Sequence, residues 1–192
     1  SSDYPDELAE QFGEDSNVYR VRVLGEFPNE DENAVIALHL CEAAMVREVD
    51  PSNIFKTVWG VDVARFGSDR TALAKRRGNI QLEPVRSWHG KDTMQVAGLI
   101  IAEYEETPEE DRPSEILVDV IGIGAGVVDR LNEQSLPVRG VNVAESPAVA
   151  DRFLRLRDEL WFKVREALEA RDCKLADDDA LVAELTGVRY NI

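Results

Sequence analysis

The stretch from Phe55 to Trp88 decides the fold, and it reads FKTVWGVDVARFGSDRTALAKRRGNIQLEPVRSW. It contains three segments with the pattern of strands: 55–64, 70–77 and 80–88. The turn signals Phe66-Gly-Ser-Asp69 and Gly78-Asn79 separate them. Because connections this short join antiparallel neighbours, we predict three antiparallel strands at this point.

Downstream of this stretch, helical and extended patterns alternate. We expect a helix over Asp92–Glu106, a strand over Glu115–Val120, a helix over Gly126–Gln134, a strand over Leu136–Val143, and helices over Asp151–Arg171 and Asp177–Leu185. A strand, a helix and a further strand in this order predict a parallel crossover. The whole order predicts an α/β fold with a ribonuclease-H-like mixed sheet, in which three antiparallel strands precede a parallel βαβ unit and helices flank the sheet. A generic α/β sheet with an antiparallel edge fits the same pattern.

Upstream of this stretch, residues 1–54 have the pattern of an appended N-terminal arm. We expect a helix over Pro5–Phe12, an edge strand over Val18–Leu24 and a helix over Ala34–Glu48. The turn signal Asp50-Pro-Ser-Asn53 marks the domain boundary. The sequence therefore predicts an arm of residues 1–54 and a main domain of residues 55–192.

The charge of the chain is strongly negative but unevenly distributed. Its 192 residues include 38 acidic and 22 basic ones, for a net charge of −16, which argues against nucleic acid as a partner. Residues 55–101, however, contain 8 basic and 4 acidic residues. The acidity therefore limits the expected affinity for DNA and makes it sensitive to salt, without excluding DNA.

Several classes of protein are disfavoured by the residues that the sequence lacks. Cys41 and Cys173 form no CxxC pair and the chain has two histidines, which disfavours structural zinc and a disulfide scaffold and predicts reduced thiols. No GxxxxGK[ST] motif of a P-loop ATPase occurs. No apolar run approaches the roughly 18 residues that a membrane span needs, and the N-terminus is acidic, so we expect neither a membrane protein nor an exported one.

Two aspartates interrupt apolar strands and are the candidate catalytic residues. Asp62 lies within the first predicted strand, and Asp119 lies at the C-terminal end of the fourth. A buried carboxylate requires a compensating cation, a cluster of donors or a solvent-filled cleft. Two carboxylates at the same edge of a sheet are suitable ligands for Mg²⁺ or Mn²⁺, which in pairs promote phosphodiester cleavage. A carboxylate that caps the adjacent turn through backbone N–H groups is the alternative for Asp62.

The glycine-rich turn after Asp119 has the spacing Gly122-x-Gly124-x-Gly126. It lacks the third glycine of GxGxxG at its usual offset, which disfavours a dinucleotide site. We expect these glycines to let the backbone pass close to a phosphate or to a metal ion held by Asp119.

These motifs resemble the nuclease domain of the large terminase subunit, the DNA-packaging motor protein of tailed bacteriophages. The resemblance rests on Trp59-Gly-Val-Asp62-Val-Ala-Arg65 with Gly67-x-Asp69-x-Thr71, on Val118-Asp119 with the glycine-rich turn, on Arg155-Leu-Arg-Asp-Glu-Leu-Trp161, on Leu181-x-x-Glu184-Leu-x-x-x-Arg189-Tyr190, and on Val18–Phe27. It implies a ribonuclease-H-like fold, metal ligation by Asp62 and Asp119, and endonucleolytic cutting of concatemeric viral DNA during genome packaging. It also implies an ATPase domain in the same polypeptide, portal protein and small terminase subunit as partners, and the cytoplasm of the infected bacterium as the location.

One expected element of that family lies outside the sequence. The family supplies a third carboxylate in a Ser-Pro-Asp-x-x-Asp-Ala-like segment after its Arg-Tyr strand, and we expect the equivalent beyond Ile192. Asp69 is the candidate additional ligand, acting directly or through a metal-bound water. The candidate contacts to phosphate of double-stranded DNA, without base specificity, are Arg65, Arg70, Lys75 and Lys91.

Two other functions fit the same residues. An inert docking module of the packaging motor would account for the acidic arm and the absent third carboxylate. Another ribonuclease-H-fold nuclease, such as a junction resolvase, would prefer branched over linear DNA.

Overall fold

The computed structural model describes residues 4–14, 19–26, 34–49, 55–64 and 69–190. The chain divides into two compact units: Asp50–Leu160, here called the sheet unit, and Ser1–Val49 together with Trp161–Ile192, here called the helical unit. The C-terminal residues therefore group with the N-terminal segment, whereas the sequence-based division joined them to the main domain. The predicted turn Asp50–Asn53 lies outside the described residues.

Six strands form one mixed sheet within the described part of the sheet unit. They are β1 Thr57–Asp62, β2 Arg70–Arg77, β3 Ile80–Gln81, β4 Arg86–His89, β5 Glu115–Asp119 and β6 Val138–Val141. Strand β1 lies between β2, which is antiparallel to it, and β5, which is parallel to it; β6 runs parallel to β5. This topology confirms the predicted ribonuclease-H-like mixed sheet, because an antiparallel section precedes a parallel βαβ unit.

The third predicted strand, residues 80–88, is divided into two. Strand β3 pairs with the C-terminal end of β2, and β4 pairs with its N-terminal half. Pro84 lies in the break between them, and proline has no backbone N–H to donate to a sheet. The tight turn before β3 is confirmed at Gly78, which has a φ of 57°.

Two helices cover one face of the sheet: α3 Thr93–Glu106 and α4 Gly124–Glu133, numbered after the two N-terminal helices given below. Helix α3 begins where the sequence predicts, because the Asp92 carboxylate accepts from the Gln95 N–H while the Gln95 side chain accepts from the Asp92 N–H. The buried core between helices and sheet consists of Trp59, Val61, Val63, Leu73, Val96, Ala97, Ile100, Ile116, Val118, Val127, Leu131 and Leu136. Burial of this face fixes the register of β1 and β5.

The helical unit contains α1 Tyr4–Phe12, α2 Leu38–Val46, most of α5 Leu156–Ala170, and α6 Asp179–Gly187. Its buried core consists of Leu8, Val35, Ile36, Leu38, Cys41, Ala44, Leu168, Cys173, Val182 and Leu185. Both cysteines are free thiols, and burial raises the pKa of Cys41 to about 12. Asp178 lies in the acidic run Asp177-Asp178-Asp179. It caps α6 by accepting from the Leu181 N–H at 3.0 Å, which is a structural role.

The predicted edge strand Val18–Leu24 is wrong over its described part. Residues Arg20–Leu24 form a short π-helical turn that ends at Gly25, where φ is 64°. The Glu26 N–H donates to the Arg20 carbonyl at 3.0 Å. An edge strand needs a neighbouring strand, and the described residues of the helical unit contain none, so a local turn satisfies the backbone instead.

The predicted helix Ala34–Glu48 is shorter in the structure. Its first residues pair with the C-terminal segment instead, through a bridge between Ala34 and Arg189 and a Val35 N–H donated to the Val188 carbonyl at 3.0 Å. Helix α2 therefore begins at Leu38.

Across the described residues, no helix has the length and apolarity that crossing a membrane requires.

Candidate functional site

Asp62 and Asp119 lie side by side at one edge of the sheet. Asp62 is the last residue of β1 and Asp119 the last of β5, and the parallel register pairs Val61 with Val118. In each strand, alternate side chains are buried under α3 and α4, and the two aspartates belong to the other set. The structure therefore brings the two predicted catalytic residues together on the face of the sheet opposite those helices.

Both aspartates line a cavity of about 350 Å³. Small residues of β1 and β2 form part of its lining, namely Gly60, Ala72 and Ala74. The remaining lining residues are apolar: Val61, Leu117, Val141, Val143 and Leu160. Two carboxylates thus stand in an otherwise apolar recess that is large enough for an ion and its waters.

The turn after β5 fixes the position of Asp119. The Ile121 N–H donates to its Oδ1 at 2.9 Å, and the chain then passes through Gly122 with a φ of 91°. At Gly124, a Cβ would lie 1.8 Å from the Asp119 carbonyl oxygen. The backbone therefore passes close to Asp119 at Gly124, where a side chain has no room.

Electrostatics at the site favour a cation. Burial raises the pKa of Asp62, the charge of Asp119 raises it further, Asp69 adds to the effect, and Arg157 opposes it. Like charges on adjacent strands destabilise each other unless a counter-charge lies between them. The donor set consists of carboxylate oxygens, which Mg²⁺ and Mn²⁺ prefer, so the residues present fit such an ion.

Arg157 is a residue of the site that the sequence did not identify. Its Nη2 lies 3.8 Å from Oδ2 of Asp119, and its charge lowers the pKa of Asp62. The residue comes from the first turn of α5, which follows the strand beside β5. In the sequence, this residue belongs to the basic run Arg155-Leu-Arg157 at the start of that helix. The chain brings the helix start back to the edge of the sheet where Asp119 ends β5.

Two of the predicted phosphate contacts lie at the same edge as the aspartates. Arg70 begins β2 and is exposed; it stands two residues before Ala72, the register partner of Asp62, and so shares its face. Lys91 follows β4, whose end pairs with Arg70. Arg65 lies outside the described residues.

Lys75 is not available to a phosphate, which contradicts its predicted role. It is three residues from Ala72 and therefore on the opposite, helix-covered face of β2, where it is 8% exposed. Its ammonium contacts Glu103, lies 3.0 Å from Oε1 of Glu83, and sits 4.8 Å from the Trp59 ring centroid. These partners already neutralise its charge.

Asp69 is near enough to Asp62 to raise its pKa. Nevertheless, no three His, Cys, Asp or Glu side chains among the described residues are grouped closely enough to hold a metal ion. The described site therefore rests on the pair Asp62 and Asp119.

We expect Asp62→Asn to raise the Tm of the metal-free protein at pH 7. Because the pKa of Asp62 is raised by folding, its protonated form contributes stability below the usual aspartate pKa of about 4, and that contribution is lost as pH rises through the raised value. At pH 7 the ionised Asp62 is destabilised by burial and by the charge of Asp119, and the uncharged amide of asparagine removes that free-energy cost. Since Asp62 is partly exposed, the gain should be about 1–3 °C.

Thermal melts at pH 7 and pH 4 measure this effect, and the gain should shrink at pH 4. Asp129→Asn, at an exposed position of α4, is the matched control. An Asp62→Asn variant that melts at or below the wild-type Tm at pH 7 would contradict the electrostatic interpretation.

No protein-family model matches the chain, and no curated protein matches it. Solved structures do match. The nuclease domain of the large terminase subunit gp2 of bacterial virus Sf6 is 20% identical, with a TM-score of 0.65 over 83% of this chain and 84% of that chain. A point mutant of that domain with manganese and β-thujaplicinol is 18% identical, with a TM-score of 0.61 over the same shares.

A second phage provides a similar structure. The large terminase nuclease from thermophilic phage G20c with bound magnesium is 15% identical to this chain, with a TM-score of 0.58 over 83% of this chain and 82% of that chain. At these identities the likeness concerns the fold, and it agrees with the resemblance of the motifs at Asp62 and Asp119. The chain therefore has the fold of the nuclease domain of large terminase subunits.

Proposed function

We propose that this chain is a metal-dependent endonuclease domain of a large terminase subunit, which cuts concatemeric viral DNA during genome packaging. The observation that carries the proposal is the placement of Asp62 and Asp119 at the ends of adjacent parallel strands, within one cavity. The nuclease-domain fold supports it. Ligand sites of α/β sheets gather at this edge.

Asp62 and Asp119 would hold Mg²⁺ or Mn²⁺ through their carboxylate oxygens, and Asp69 would act through a bound water. The similar Sf6 and G20c structures contain manganese and magnesium, respectively. When bound, such ions supply a nucleophilic water at neutral pH and stabilise the leaving oxygen of a phosphodiester.

The other residues of the site orient these ligands and attract the substrate. The Ile121 N–H holds Asp119, and Arg157 favours the ionised form of Asp62 by lowering its pKa. Arg70 and Lys91, and Arg65 outside the described residues, would neutralise backbone phosphates of double-stranded DNA without reading its bases.

The remaining assignments follow from the terminase proposal. Residues 1–54 would connect this domain to an ATPase domain of the same polypeptide. Portal protein and the small terminase subunit would be further partners, in the cytoplasm of the infected bacterium.

A metal titration tests the proposal. We expect Mn²⁺ to raise the Tm of the wild type, because an ion that binds only the folded state adds about 2.7 kcal/mol of stability at 100 times its Kd. The double variant Asp62→Asn with Asp119→Asn should show no such rise. An unchanged wild-type Tm, or an equal rise in the double variant, would contradict metal binding at this pair.

The alternative is a docking module without catalytic activity. It is favoured because no third carboxylate among the described residues is grouped with Asp62 and Asp119 closely enough to hold a metal ion with them. The same titration distinguishes the two functions, since a docking module should show no stabilisation by Mn²⁺ that depends on these aspartates.

A further inference from the structure

The segment between β6 and α5, residues 142–155 and here called the rim loop, begins and ends beside the candidate site. At its base, the Leu156 N–H donates to the Glu145 carbonyl at 2.9 Å and the Arg157 N–H donates to the Val143 carbonyl at 3.0 Å. Val143 at one end and Leu160 just beyond the other both line the cavity that contains Asp62 and Asp119. The loop therefore stands at the rim of that cavity.

A buried carboxylate holds the rim loop in place. Glu159 of α5 is 1% exposed, and its Oε2 accepts from the Ala148 N–H at 2.6 Å and from the Val149 N–H at 3.4 Å. At the end of the loop, the Arg155 N–H donates to Oδ2 of Asp158 at 3.1 Å. These bonds fix the backbone of the rim loop against the start of α5.

The rim loop carries two exposed cations, Arg152 and Arg155. Neither forms an ion pair with any residue that the structure describes, whereas most other arginines of the sheet unit do. The arginines of that unit with a carboxylate within 4 Å are Arg77, Arg86, Arg130, Arg139 and Arg157. A cation without a carboxylate partner releases more free energy on meeting a phosphate, because no existing pair is broken.

Between these arginines, Leu154 is 91% exposed. The guanidinium of Arg152 lies 5.4 Å from the centroid of the Phe153 ring. A single exposed apolar side chain is ordinary at a protein surface, so the inference rests on the two cations beside it.

Seven described cations of the sheet unit lack a carboxylate partner, and four of them lie near the sheet edge where Asp62 and Asp119 end their strands. Arg112, which donates to backbone carbonyls of Thr107 and Glu105, is one of the other three. Arg70 and Lys91 approach that edge from β2 and β4, and the rim loop approaches it after β6, whose Val141 pairs with Asp119. Lys56 and Arg76 lie toward the other end of β1, since Arg76 pairs with Val58. Cations without a carboxylate partner therefore lie on both sides of the two aspartates along the strand order, beside β2 and β4 in one direction and after β6 in the other.

We propose that Arg152 and Arg155 of the rim loop bind backbone phosphates of the duplex that is cut at Asp62 and Asp119. This inference rests on the proposed nuclease function. It adds the rim loop as a DNA-contacting surface that the sequence did not indicate. Arg70 and Lys91, from the basic stretch 55–101, would contact the duplex on the other side of the two aspartates.

DNA binding by the double variant Arg152→Ala with Arg155→Ala tests the inference. Fluorescence anisotropy with a short blunt-ended duplex, without divalent metal, gives the affinity as a function of salt concentration. Since each phosphate contact contributes about 0.9 to the slope of log K against log salt, the slope should become shallower by about 2. The lysine variant, Arg152→Lys with Arg155→Lys, should keep the wild-type slope.

The matched control is Lys56→Ala with Arg76→Ala, which removes the same charge from exposed positions away from the site. It should keep the wild-type slope. If the wild type cuts DNA with Mn²⁺ and the rim-loop variant binds the duplex like the wild type, the inference is overturned while the nuclease function stands. Equal losses in both double variants would also overturn it. A wild type that neither binds nor cuts DNA would overturn the proposed function itself.

Discussion

Cleavage of plasmid DNA with Mn²⁺ should fall by at least about a hundredfold when Asp62 is replaced by alanine. Loss of a residue that merely supports a metal ligand already reduces metal affinity or activity 10- to 100-fold, and Asp62 is proposed as a ligand itself. The fold should persist, because Asp62 is exposed to the cavity and ends its strand. Gel assays of supercoiled plasmid against time, with thermal melts of the same samples, measure both effects.

Asp129→Asn provides the control for that experiment. Asp129 is an exposed acid of α4 that does not line the cavity, so its loss removes one charge without touching the site. This variant should cut at the wild-type rate. Cleavage by a clean preparation of Asp62→Ala at a comparable rate would refute the catalytic assignment.

The variant Gly124→Ala should lose both stability and cleavage. An added Cβ would lie 1.8 Å from the Asp119 carbonyl oxygen and 2.9 Å from its carbonyl carbon, so either the end of β5 or the start of α4 must move. Overpacking of this kind costs about 3 kcal/mol, which corresponds to a fall in Tm of about 6–12 °C. Because Asp119 belongs to the displaced turn, metal stabilisation should be lost as well.

Gly126→Ala is the matched control two residues further along. A Cβ at Gly126 would meet its nearest neighbour, the Thr93 methyl carbon, at 4.0 Å, an ordinary contact. Because alanine is favoured over glycine inside a helix by about 1 kcal/mol, this variant should melt at or above the wild-type Tm. If Gly124→Ala melts no lower than Gly126→Ala, the close approach at Asp119 is not a structural requirement.

The order of elements and the pair of aspartates were accessible from the sequence, because both depend on local patterns. Alternating residues indicate β1 and β2, and the Gly78-Asn79 turn predicts that β3 pairs antiparallel with β2. Asp62 and Asp119 stand out as charges at the ends of apolar strands, and strand ends of a parallel pair meet at one edge.

Strand register explains why one predicted phosphate contact was wrong. Lys75 belongs to the only basic stretch of the sequence, but its distance of three residues from Ala72 places it on the face that α3 covers. Charge counted along the chain does not distinguish the two faces of a strand. Arg70, at an even distance from Ala72, lies on the face of Asp62.

The contribution of Arg157 was inaccessible for a different reason. Its approach to Asp119 depends on how the rim loop returns the chain to the sheet, and that path is set by Glu159 and by backbone bonds to Val143 and Glu145. Similarly, residues Arg20–Leu24 alternate like a strand but lack a neighbouring strand within the described part of the helical unit. Both features depend on tertiary context, which local patterns do not contain.

The net charge of −16 also has a clearer meaning in the structure. Lys75, Arg77 and Arg86 are already bonded to carboxylates, whereas Arg70, Lys91 and the two rim-loop arginines have no described carboxylate partner. The acidic total should therefore weaken DNA binding and make it salt-sensitive, while the free cations localise it.

Anomalous X-ray diffraction from crystals of the protein soaked with Mn²⁺ tests most directly whether Asp62 and Asp119 hold a metal ion. We expect an anomalous peak in the cavity within about 2.5 Å of carboxylate oxygens of both Asp62 and Asp119, a distance typical of oxygen ligands to divalent cations. The same soak of the Asp62→Asn, Asp119→Asn variant should give no peak there. A wild-type crystal with Mn²⁺ bound elsewhere and no peak between these two aspartates would show that the pair does not hold the metal ion.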